Sequence, residues 1–290
     1  MHEYNQIIKA LQSYVWAIIP EKMDEILFML NARLNNQPYE KAAARRATSF
    51  KDVKGKIAVL NIFGTIVQHA DMFTEWSGGT STENVGKVFD SLIEDSGIGA
   101  VVLNIHSPGG STWGVQELSD KIYNARGEKP IVSVANSMAG SAAYWIGTAA
   151  DEFIVTPGGD VGSIGVYAIH VDESKLDENL GLKYTIIKAG KYKAEGNPFE
   201  SLSEEAIDYY QSHVNDTYDA FVGAVARNRG VTVSIVKSDF GQGRMLNAKN
   251  ALSAKMVDRI ATFDDVIKDM IGSRKTNSNK RASLEIKRRR

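Results

Sequence analysis

Four short apolar runs, with helical stretches between them, limit what this chain can become. Lys56-Ile57-Ala58-Val59-Leu60-Asn61-Ile62, Ala100-Val101-Val102-Leu103-Asn104-Ile105, Pro130-Ile131-Val132-Ser133-Val134 and Phe153-Ile154-Val155 are rich in β-branched residues and show little polar alternation. Such strands are buried on both faces, as in parallel sheets that helices cover. Between them, Val85, Val88, Phe89, Leu92 and Ile93, and later Val115, Leu118 and Ile122, mark amphipathic helices. The alternation predicts repeated strand–helix–strand units, an α/β fold.

Around this core the chain divides by composition. Residues 1–50 read as a helical arm and linker: Met23, Ile26, Leu27, Leu30 and Leu34 fall on one helical face behind Pro20, and Lys41 to Ser49 is polar. Residues 51–272 form the main domain. Within it, Gln68 to Thr82 reads as an irregular loop, Tyr184-Thr185-Ile186-Ile187 as a strand, and Ser203 to about Arg227 as a long helix. Residues 273–290 form a basic tail, with eight Lys and Arg side chains in 274–290 against Glu285 alone, a composition that predicts disorder. The tail offers at most weak contact with nucleic acid or an acidic partner, and a solubilising end explains it equally well.

The chain has no cysteine. That excludes disulfides, thiolate metal sites and a cysteine nucleophile. No apolar run is long enough to cross a bilayer, and Met1-His2-Glu3-Tyr4-Asn5 lacks the layout of a signal peptide. The expected location is therefore the cytoplasm.

In parallel sheets, sites gather at the carboxyl ends of strands. Two glycine-bearing turns occupy that position on successive units, Ser107-Pro108-Gly109-Gly110 and Met138-Ala139-Gly140-Ser141-Ala142-Ala143. One can supply backbone N–H groups and the other a hydroxyl at a helix start, the layout of an oxyanion hole facing a nucleophile. Taken alone, Gly140 to Ala143 could equally serve close helix packing. A serine nucleophile needs a base. His170, with Asp172, is one candidate. The others are Lys188, Lys191 and Lys193, which spacing does not rank. A lysine base must lose about three pKa units, roughly 4 kcal/mol, through burial.

Together these blocks, with Val161-Gly162-Ser163-Ile164-Gly165-Val166, Gly190-Lys191-Tyr192-Lys193, Gly243-Arg244 and Val257-Asp258-Arg259-Ile260, resemble the signal peptide peptidase A family of serine peptidases. The resemblance runs from about Lys56 to Ile271 and is closer to the bacteriophage capsid (prohead) maturation proteases within that family. It implies the crotonase-like, Clp-protease-like α/β spiral, usually assembled into homo-oligomeric rings. It also implies a Ser–Lys dyad: Ser141 as nucleophile, Lys193 as general base, and Ser163 orienting the lysine. The backbone N–H groups of Gly109 or Gly110, and of Ala142, would form the oxyanion hole. No metal or cofactor is implied. The implied substrates are scaffold, portal or capsid proteins, in the host cytoplasm or prohead and away from the membrane. A soluble host peptidase cutting short peptides, a Clp-like triad through His170, and a silent ring-forming assembly factor are the competing expectations. The Gly140-Ser141-Ala142-Ala143 block departs from a pattern with alanine before the serine and two glycines after it. The exchange is of small residues for small ones.

Overall fold

The computed structural model describes residues 11, 15–34, 50–53, 56–69 and 79–272. The tail expected at 273–290 and the linker at Lys41 to Ser49 lie outside them, as does most of the loop after Gln68.

The strand–helix alternation folds into the expected α/β architecture. Strand β1 (Trp16–Ile18) leads into α1 (Pro20–Leu34), then β2 (Phe50–Val53), β3 (Ile57–Phe63), β4 (Ile66–Val67), β5 (Thr80–Ser81) and α2 (Thr82–Glu94). Next come β6 (Ala100–Ser107), β7 (Gly109–Ser111), α3 (Val115–Asn124), β8 (Ile131–Gly140), α4 (Ala142–Gly147), β9 (Glu152–Val155) and β10 (Asp160–Gly162). The remainder is α5 (Ser174–Asn179), α6 (Glu204–Arg229), α7 (Val233–Asp239), β11 (Met245–Asn247), α8 (Ala248–Ser253) and β12 (Arg259–Ile260).

The larger sheet runs β11-β10-β8-β6-β3-β2, with β3, β6, β8 and β10 parallel and antiparallel strands at both ends. Strand β8 is shared: Val132 to Ala135 pair with β9, whereas Met138 to Gly140 pair with β10. The register slips opposite β6 between Ile105 and His106, and Ser137 takes φ 85°. This bulge turns the carboxyl end of β8 away from its core half. A smaller sheet, β1-β7-β4-β5, stands at that same end.

The main core lies between the large sheet and α2, α3, α4 and α6. Leu60, Leu103 and Ile105 from the sheet meet Val85 and Phe89 of α2, Leu118 of α3 and Trp145 of α4. Trp145 stacks on Phe221 of α6, with ring centroids 4.7 Å apart and planes 7° from parallel. Helix α2 starts where the Ser81 hydroxyl accepts from the Asn84 N–H, and α6 starts likewise at Ser203. Gly230 closes α6 at φ 64°.

Two expectations need correction. Helix α1 of the arm starts at Pro20, but the preceding Trp16–Ile18 is a buried strand hydrogen-bonded into the small sheet. Proline fixes the start of the helix, while the β-branched run before it pairs as a strand. Tyr184 to Ile187 form no strand; this stretch is exposed throughout, with Ile187 at 96%, and no sheet edge reaches it.

Candidate active site

Both turns read from the sequence open at the same end of the large sheet, and the structure brings them into contact. Strand β6 ends at Ser107, whose hydroxyl donates to the Gly64 carbonyl at 2.6 Å and accepts from the Gly109 N–H at 3.1 Å. Gly109 then adopts φ 95°, which glycine alone takes without strain. A Cβ built on it would stand 2.9 Å from the Gly140 carbonyl oxygen and 3.0 Å from the Ser141 Cβ. A Cβ on Gly110 would fall 1.9 Å from the Ile66 carbonyl oxygen. The glycines are thus required by the approach of three backbones.

Ser141 sits between β8 and α4 with φ 54° and ψ −115°, a conformation that costs a non-glycine residue roughly 1–3 kcal/mol. Its N–H donates to the Gly162 carbonyl at 2.7 Å, which anchors the turn to β10. Its hydroxyl donates to the Gly165 carbonyl at 3.3 Å, a long bond that holds the Oγ only weakly. The residue is fully buried. Ala142 follows as the first residue of α4, where backbone N–H groups lack intrahelical acceptors.

Ser163, nearly buried, repeats the left-handed backbone at φ 54° and donates its N–H to the Arg244 carbonyl at 2.9 Å. Gly162 before it has φ 125°, with that same carbonyl 2.8 Å from where its Cβ would lie. The Gly243-Arg244 block therefore acts here through its backbone, bracing the turn behind Ser141. The Gly165 and Arg244 carbonyls carry no side-chain signal, which is why sequence reasoning did not name them.

The candidate bases are placed differently. Lys193 lies in an exposed turn, its N–H bonded to the Gly190 carbonyl at 3.2 Å, and its side chain makes no hydrogen bond to Ser141 or Ser163. Lys191 pairs with Glu205 at 2.8 Å and donates to the Tyr192 hydroxyl at 2.9 Å. These partners raise its pKa above the ordinary lysine value, the direction opposite to that required of a base. His170 Nε2 lies 3.0 Å from the Asn197 carbonyl oxygen. The Asp172 carboxylate bonds Ser174 and Ser201 instead of the histidine, and those hydroxyl donors lower its pKa to about 2. The His170–Asp172 pair expected for a triad is absent from this arrangement. Among the described residues, no group of three or more His, Asp or Glu is placed to hold a metal ion.

Comparison with known proteins bears on this geometry. The model of peptidase family S49 matches residues 124–277, more than half of the chain, and spans Ser141, Ser163 and Lys193. The chain belongs to peptidase family S49. Its resemblance to signal peptide peptidases and phage head proteases, read from short sequence blocks, is thereby upheld. Among S49-like relatives, the head-tail preconnector protein GP5 of Enterobacteria phage P21 is 30% identical, over 82% of this chain and 47% of that protein. The capsid assembly protease C of Escherichia phage lambda is 28% identical, over 80% of this chain and 53% of that protein. The chain thus spans about half the length of these curated relatives. A ClpP1 mutant from Listeria monocytogenes aligns over 72% of this chain and 93% of that chain, at TM-score 0.44 and 17% identity. Among the described residues, no helix is long and apolar enough to cross a membrane.

Proposed function

We propose that this S49 chain is a serine endopeptidase that works through a Ser–Lys dyad and acts on proteins of phage head assembly. The observation that carries the proposal is Ser141 itself. It is a serine held at φ 54° between a buried strand and a helix, with the Gly109 turn against its Cβ. Strained backbone at a small, buried serine indicates a position fixed for chemistry.

In the proposed reaction the Ser141 Oγ attacks the scissile carbonyl carbon while Lys193 Nζ takes the hydroxyl proton. The developing oxyanion is met by the backbone N–H groups of Gly110 and Ala142, the Gly109 N–H being held by the Ser107 hydroxyl. Lys193 returns the proton to the leaving amine as the C–N bond breaks. It then deprotonates the water that attacks the acyl-enzyme, and Ser141 leaves with a proton. Ser163 positions the lysine. The unit that performs this is residues 51–272; residues 1–50 and 273–290 flank it.

A lysine base must be neutral at work, and neutrality comes from burial. Lys193 is exposed in a single chain, on a segment that also presents Leu180, Leu182, Tyr184 and Ile187 to solvent. An apolar surface of that extent marks an interaction site. A homo-oligomeric ring that covers this segment would desolvate Lys193 and complete the dyad. The reported names of the phage relatives support scaffold, portal or capsid proteins as substrates, cut in the host cytoplasm or within the prohead.

The test is co-expression with the neighbouring head genes, read on gels. Ser141→Ala and Lys193→Ala should each abolish cleavage, by three orders of magnitude or more, while His170→Ala retains it. Cleavage that survives Lys193→Ala but fails with His170→Ala would replace the dyad by a histidine mechanism.

A further inference from the structure

The groove in front of Ser141 is occupied by the chain itself. Residues Val15 to Ile19 run through it as an extended strand, bonded on both sides. On one side β1 pairs antiparallel with β7: Ile19 N–H donates to the Pro108 carbonyl at 3.0 Å, and Thr112 N–H donates to the Val15 carbonyl at 3.1 Å. On the other side Trp16 and Tyr167 exchange both bonds, at 2.8 and 3.0 Å. Between the flanking bonded pairs the register sets Ala17 opposite Gly110. Bonded pairs alternate along an antiparallel ladder, so the Gly110 N–H points at the Ala17 carbonyl.

That carbonyl lies beside Ser141. The Ala17 oxygen lies 2.2 Å from the point where a Cβ on Gly109 would stand, and the Ser141 Cβ lies 3.0 Å from that same point. Two residues further, the Ile19 side chain reaches within 2.9 Å of where a Cβ on Gly140 would be. The small side chain of the strand, Ala17, faces the main core, while Trp16 and Ile18 face the opposite way. An extended peptide with a small residue facing the serine is what such a groove admits by backbone pairing.

We propose that Val15–Ile19 is an intramolecular occupant of the peptide groove, which holds the place of substrate and must leave before Ser141 is reached. The seat of the strand is independent of the peptidase proposal; only its inhibitory meaning rests on it. The cost of leaving is local. Trp16 and Ile18 pack with Leu11, Met23, Ile26 and Val67 in a cluster separate from the main core, so release of the strand spares the large sheet and takes only Ala17 from the main core. Beyond Val15 and Thr112 a cavity of about 710 Å³ continues between Ala168 and Tyr209, room into which a longer peptide would extend the strand.

The chain has no cysteine, which allows a clean lock. Trp16 and Ser111 are register partners between two bonded pairs. Non-bonded antiparallel pairs bring Cα atoms to about 4.5 Å, within disulfide range. The full chain carrying Trp16→Cys and Ser111→Cys should hold the strand when oxidised and release it when reduced. The probe is a fluorescein-labelled peptide of residues 15–20, read by anisotropy, with fluorophosphonate labelling of Ser141 read in parallel. Oxidised protein should bind the peptide at least tenfold more weakly than reduced protein, and labelling should follow. Trp16→Ala, which needs no disulfide, should bind more tightly than the native chain. Equal binding in both redox states, or none by the reduced protein and by Trp16→Ala, overturns the proposal. Binding that follows the lock while Ser141 stays unlabelled would uphold the occupied groove and defeat the peptidase function.

Discussion

Ser163 shows how much of a site's chemistry can hang on one backbone angle. Its φ of 54° and the 2.9 Å bond to Arg244 carry its turn, and both belong to the main chain. Removing the hydroxyl should therefore leave the fold untouched and isolate the role proposed for it toward the lysine. Ser163→Ala should lower kcat by about 10–100-fold, with KM and melting temperature nearly unchanged, in steady-state assays paired with thermal denaturation. A parallel loss of melting temperature would assign the hydroxyl to structure instead. At this scale the site was half legible. Ser141, Ser163 and Lys193 are side-chain signals, and motif blocks carry them. The Gly162 and Arg244 carbonyls that anchor the two serine turns are peptide groups, identical at every position, and only a fold reveals them.

Helix α4 is six residues long, too short to be stable alone, and every one of its residues is buried. It is held by what it touches. Tyr144 donates its hydroxyl to the Met256 carbonyl at 2.9 Å, and Trp145 lies flat on Phe221 of α6. Trp145→Ala should cost about 3–5 kcal/mol in denaturant unfolding. Activity should fall with stability, because Ser141 sits at the N-terminus of the same helix. Elements with a strong apolar period were plain in the sequence: β3, β6, β8 and helices α2 and α3 fall where their side chains place them. Strand β1 was hidden because its three residues carry too little period to stand apart from the helical stripe that follows Pro20. Tyr184 to Ile187 erred the other way. The run is apolar and partly β-branched, yet strand formation requires a partner edge, and a single chain provides none there.

Across the whole molecule, apolar surface is divided unevenly. The core half is fully buried, whereas the segment between α5 and α6 leaves Leu182, Tyr184, Ile186 and Ile187 in water. If that surface closes a ring, a charge at its most exposed point should open it. Ile187→Asp should shift the protein to smaller species in analytical ultracentrifugation and remove cleavage, with unfolding of the protomer unchanged. A variant that stays assembled and active would detach the segment from both assembly and catalysis. The extent of this surface was not legible in sequence, since apolar residues in a strand-like run are ordinarily read as core.

Strand β8 links these scales. Its first half pairs in the centre of the large sheet and its last residues deliver Ser141. The nucleophile is thus continuous, within one strand, with the most deeply buried part of the protein. Opening free energies in a protein rise toward the global value at such strands. Melting the serine turn is therefore expected to cost a large share of the global unfolding free energy. In the proposed scheme, control of Ser141 thus falls to the Val15–Ile19 strand that covers it and to the placement of Lys193, and not to order and disorder of its turn.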